Sequence, residues 1–119
     1  MPATSSTFKD PTVNLHGTLL DAVTPASSGE WVNVEGYDKI SVHLIIATGP
    51  TAFLCGSNKD NPLNSDDGVD LVAAGLVSNI AVGTSLTASI IASIKTPLKW
   101  LKVKLTGSSG TVSAPFIAV

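Results

Sequence analysis

In residues 39–47, KISVHLIIA, Ile40, Val42, Leu44 and Ile46 fall on one side of an extended chain, and Ser41 and His43 on the other. That period of two marks a strand with one face buried. Residues 100–105, WLKVKL, repeat it, with Leu101, Val103 and Leu105 pointing one way and Trp100, Lys102 and Lys104 the other. The polar run TGSSGT then turns the chain into TVSAPFIAV, which predicts a hairpin closing the domain. Further strands are predicted over TVNLHGTLLDAV, WVNVEG, TAFLCGS, VDLVAAGLV and LTASIIASIK, punctuated by Gly49-Pro50, Asn61-Pro62, Gly83 and Pro97. Leu86, Ile90 and Ile94 would also line one face of a helix, but the Thr and Ile content of that segment favours a strand. Seven or eight short strands with turn residues between them predict an all-β chain, a single-domain antiparallel β-sandwich of jelly-roll-like form.

Length and composition sharpen this picture. A chain of 119 residues holds one small domain. Its charged fraction of 13% is about half the usual share, against 44% hydrophobic residues and a mean hydropathy of +0.36. Such a chain either buries both faces of its sheets or turns apolar surface toward a partner. The Ser/Thr/Ala-rich start, ended by Phe8, reads as a flexible N-terminal arm over residues 1–10, with the sandwich over residues 11–119. Residues 71–94 carry no charge, but Ser, Thr, Asn and Gly interrupt them throughout, so no membrane span is predicted. The start of the chain has no basic region followed by an apolar run, so no secretory signal is predicted and synthesis in a cytoplasm is expected.

Charge is unevenly spread. All nine acids lie at or before Asp70, where three lysines leave a net −6, and the 49 residues beyond carry four lysines and nothing to offset them. In one compact domain the two parts are expected to interleave. No arginine occurs, which removes the side chain best suited to bidentate phosphate or base recognition, and nucleic-acid binding is not expected. Cys55 is alone, so no internal disulfide and no CxxC metal site can form, and in AFLCG it reads as a small buried hydrophobe.

Residues 56–70, GSNKDNPLNSDDGVD, gather four aspartates and invite a cation. They do not match a calcium loop: Pro62 and Leu63 stand where ligands are wanted, and no glutamate occurs in the stretch. Asn, Asp and Ser here read as residues that cap their own turns, and no metal site or cofactor is predicted. His16 and His43 both sit in strand patterns, and no GxSxG, HExxH or phosphate loop accompanies them, so no enzyme is predicted. Trp31, Tyr37 and Trp100, with Phe8 in the arm, are the candidate partner contacts. Exposed tryptophans would also serve a carbohydrate-binding sandwich, although the chain lacks the several aromatics such modules use.

The runs GEWVNVEGYDKISVHLII, TAFLCGSNKDNP and TPLKWLKVKLTGSSGTVSAPF resemble small β-rich virion proteins of tailed bacteriophages, in particular head decoration or cement proteins, over residues 30–116. These motifs encode strands and turns rather than chemistry. The resemblance implies a non-enzymatic protein on the capsid exterior of a virion. Its partner would be the major capsid protein, bound only in the assembled shell. It further implies a homo-oligomer, dimer or trimer, placed on a symmetry axis. A tail or fibre component is the alternative within the same class.

Overall fold

The computed structural model describes residues 15–22, 24, 29–47, 49–107 and 109–119. Among them run β1 (Leu15–Thr18), β2 (Val32–Asn33), β3 (Ile40–Ala47), β4 (Thr51–Ser57), β5 (Val69–Asp70), β6 (Ile90–Ile94), β7 (Trp100–Thr106), β8 (Thr111–Ser113) and β9 (Pro115–Ala118), plus one 3-10 turn at Ser65–Asp67. The antiparallel pairs β1·β9, β2·β7, β3·β6 and β4·β5 nest like the rungs of one long hairpin. Rolling that hairpin up sets β9 against β3 and β7 against β4, giving one sheet ordered β1-β9-β3-β6 and a second ordered β2-β7-β4-β5. This is the jelly-roll sandwich that the strand pattern predicts.

β8 and β9 are a single run along β3 with a break in it. Ile45↔Ser113 and Val42↔Phe116 share one register, so no residue is inserted between them. Pro115 has no N–H to give to the ladder, and Ala114 instead bonds the other way, accepting from Leu19 N and donating to Leu20 O, both at 2.8 Å. The inner faces supply the core. Val42, Leu44, Ala92, Val112 and Phe116 from the first sheet meet Leu54, Leu101, Val103 and Leu105 from the second, all buried.

Two expectations about connections need correction. The TGSSGT turn does not close a hairpin: β7 lies in the second sheet and β8 in the first, so the turn carries the chain across the sandwich. Both flanks of β7 are already taken, by β2 and β4. The Gly49-Pro50 corner between β3 and β4 makes the same kind of crossing, and the two corners pack on each other. A Cβ on Gly49 (φ +115°) would stand 2.8 Å from Ser109 O, and one on Gly107 (φ +127°) 3.1 Å from Gly49 O. Both glycines therefore supply a left-handed backbone and a close approach at once.

The predicted strand VDLVAAGLV ends after Asp70. Asp70 Oδ1 accepts from Val72 N and Ala73 N, which caps a single helical turn. Leu76 N donating to Leu71 O and Gly75 N to Val72 O then close that turn as a Schellman motif, with Gly75 at φ +74°. LTASIIASIK does form a strand, β6, and its outer edge is partly covered. Ser78 N bonds Ser93 O at 2.8 Å, while the Asn79 carboxamide donates to Ile91 O and accepts from Ser93 N, as a neighbouring strand would. No helix among the described residues is long and apolar enough to cross a membrane.

Candidate functional site

Three of the four aspartates of the 56–70 loop, Asp60, Asp67 and Asp70, have their carboxylates engaged within the fold. The Asp67 carboxylate meets Lys59 Nζ at 2.7 Å and accepts from Leu63 N at 2.6 Å and Asn64 N at 3.1 Å. The Lys59 hydrogen bond, then those two amides, hold its pKa well below the usual carboxylate range. Asp70 caps the turn after β5, Asn64 Oδ1 accepts from Asp66 N, and Ser57 Oγ donates to Asp67 O. Asp60 pairs with Lys99 at 3.1 Å, and this hydrogen bond raises the lysine pKa. The acidic and basic parts of the chain thus interleave here. Among the described residues no group of three or more His, Cys, Asp or Glu side chains is placed to hold a metal ion. A shallow cleft of about 500 Å3 runs between this loop and Pro97-Leu98.

The outer face of the second sheet carries the aromatics and the lysines together. Trp31 donates from Nε1 to Asn64 O at 3.2 Å, and Lys102 Nζ lies 5.7 Å from the centre of its ring. Lys104 Nζ stands 5.9 Å from the centre of the Phe53 ring. Both distances lie within reach of a cation–π attraction, and Lys102 is only 8% exposed. Trp100, half-buried, lies between Asn33 and Ser57 in the ladder. Tyr37, 5% exposed, belongs to the core. Phe8 and the arm expected over residues 1–10 lie outside the described residues. Cys55 is buried beneath the same region. Burial first and the Asp70 charge second push its thiol pKa up, while Lys102 and Lys104 pull the other way.

The outer face of the first sheet is of a different kind. None of its five strands contains Asp, Glu, Lys or Arg. Ile91 (53% exposed), Ile117 (52%) and Ile45 (44%) face outward from β6, β9 and β3, with Val119 (43%) just past β9. His43 lies opposite Ile91, and Ser41 and His16 flank Ile117 on either side. His16 and His43 share the face but stand on strands separated by β9. At the end of the face where β3 begins, Ser41, Ser93, Ile117 and Val119 line a depression of about 490 Å3 rimmed by Lys39 and Lys95. The outward isoleucines are not among the residues that sequence reasoning singles out. Ile91 follows Ile90, and Ile117 follows Phe116; in such doublets only the register tells which partner faces out.

The chain is therefore an all-β jelly-roll sandwich. Its fold is similar to that of the crystal structure of the SPBc2 prophage-derived protein YomS, with a TM-score of 0.66 over 88% of this chain and 91% of that one at 15% sequence identity. At that identity the likeness is one of fold. No protein-family model matches the chain, and no curated protein matches it in sequence.

Proposed function

We propose that this chain is a phage-associated structural protein, and specifically a capsid decoration or cement protein that binds the assembled shell of major capsid protein from outside. The observation that carries the reading is the fold likeness to a prophage-derived protein along nearly the whole of both chains, joined to the resemblance of its strand and turn motifs to decoration proteins. The physical character of the domain agrees with it. Five of the loop's polar side chains, Ser57, Asn58, Asn64, Asp67 and Asp70, are spent on fixing backbone, the edge of β6 is partly covered by Asn79, and little net charge is available to steer a small charged substrate.

A rigid sandwich that adds contacts across joints between shell subunits stabilises the shell by mass action, since it binds the assembled form and not the dissociated subunits. The test is co-sedimentation of the purified protein with heads of the phage that encodes it, prepared without this protein. Saturable binding, together with a higher melting temperature of the heads, is the expected result. Failure to bind heads while binding purified tails would replace the decoration reading with a tail or fibre component.

A further inference from the structure

We infer that the outer face of the β1-β9-β3-β6 sheet is a self-association surface, on which a second copy of this chain packs sheet to sheet about a two-fold axis. The inference goes beyond the virion reading and stands without it.

Three observations lead there. The first is charge. A two-fold contact sets each residue of a face against residues of the same face, so every charge on that face must find an opposite charge on the same face, whereas a face whose strands carry no charge has nothing to match. The strands of the first sheet bear no Asp, Glu, Lys or Arg, whereas the second sheet exposes Lys104 on β7, with buried Lys102 and half-buried Asp70 beside it. The strands of the first face can oppose a second copy without burying a charge, with Asp38, Lys39 and Lys95 gathered at one end of it.

The second observation is the exposed aliphatic surface. Ile45, Ile91 and Ile117 stand on three adjacent strands and are each about half exposed, with Val119 at their end. Isolated surface hydrophobes need no explanation, but here they share one face of one sheet.

The third is size and access. At about 4.8 Å between strands and 3.4 Å per residue, β3 and the β8–β9 run with eight residues each, β6 with five and β1 with four give a face of about 400 Å2 in plan. Two copies bury about 800 Å2 between them, a small contact that fits a weak, concentration-dependent dimer. Addition of a strand at the β6 edge is obstructed, because Ser78 and the Asn79 side chain already occupy Ile91 O, Ser93 N and Ser93 O. Contact through the face remains open.

The experiment is sedimentation equilibrium of the full chain from about 5 to 500 µM, beside Ile91→Lys, Ile117→Lys and, as a control off this face, Val82→Lys. All three positions are more than half exposed, so each variant should fold, and a thermal melt at low concentration checks that it does. The expected result is a mass that climbs from 12.1 kDa toward twice that value with concentration in the parent and in Val82→Lys. Ile91→Lys and Ile117→Lys should weaken the association at least tenfold. A parent that stays monomeric throughout, a mass of three copies, or a dimer indifferent to both isoleucine changes would overturn the inference. A dimer that fails to bind heads would keep it and remove the decoration reading.

Discussion

Gly68 sits where three parts of the fold converge, and replacing it with alanine gives a prediction whose size follows from the coordinates. A Cβ at this position would lie 2.5 Å from Gly56 O and 2.6 Å from Trp31 Cη2. The first neighbour is backbone of β4, paired on both sides with β5 and β7, so it cannot give way without disturbing two ladders. The second is the far edge of an indole whose Nε1 is already bonded to Asn64 O. Overpacking of this kind costs about 3 kcal/mol, the upper end of the usual range, because one of the two colliding partners is fixed. With an unfolding entropy of about 2.1 cal/mol/K per residue, the 119-residue chain loses about 4 °C in Tm per kcal/mol, so Gly68→Ala should melt about 12 °C below the parent. Gly83→Ala is the control: its φ is +84° but nothing lies within 4 Å, so only the left-handed backbone is penalised, at about 1 kcal/mol and about 4 °C. Circular-dichroism melts of the two variants decide the matter. If Gly68→Ala melts as high as Gly83→Ala, the close approach of the loop to β4 and Trp31 is not a constraint on the fold.

Other outcomes are expected on the same footing. Asn79→Ala removes two hydrogen bonds at the edge of β6, but water can replace them, so the cost should be about 1 kcal/mol and the clearest signal faster amide exchange at Ser93. Cys55, buried and with its pKa raised, should resist a disulfide reagent in the native protein and react fully once urea has unfolded it; prompt native reaction would contradict its burial. Asp67 titrates lower in the folded chain than in the unfolded one, so its contribution is complete above the ordinary carboxylate pKa of about 3.9 and is lost as pH falls from there toward the folded value. Urea midpoints of the parent and Asp67→Asn should therefore differ most at pH 5 to 7, and the gap should narrow as pH falls below about 4 and close only as pH passes through the folded value, whereas a gap constant with pH would show that the carboxylate charge is not what Lys59 and the amides of Leu63 and Asn64 hold.

Strand phase was readable in the sequence because it depends only on neighbours along the chain. Ile40, Val42 and Leu44, or Leu101, Val103 and Leu105, alternate with polar residues, and burial follows that alternation except at Lys102, which is buried beside Trp31. Pairing depends on partners far away, and there local reasoning fails. TGSSGT has the letters of a hairpin turn, yet β2 and β4 already flank β7 and send the chain to the other sheet. VDLVAAGLV carried its own correction in plain view, an Asp to cap a turn and Gly75 to end it, but its run of apolar residues reads equally as strand. The loop's character as self-capping Asn, Asp and Ser was legible in kind. That Asp67 would gather Lys59, Leu63 and Asn64 was not, since a carboxylate's partners depend on how the loop closes.

The two outer faces separate what the fold uses from what it leaves over. On the second sheet Trp31, which sequence alone marks as an interaction candidate, already holds the acidic loop and lies beside Lys102, and Phe53 lies beside Lys104. On the first sheet Ile45, Ile91 and Ile117 stand at outward positions that alternation would make polar, and each stays about half exposed. A two-fold dimer through the first sheet would bury those isoleucines and turn both lysine-bearing faces and both acidic loops outward, in opposite directions. Such a dimer would reach a larger assembly through charged, salt-sensitive contacts. Its attachment to heads should then weaken as salt rises from about 50 to 500 mM, while the dimer itself, held by apolar surface, should not.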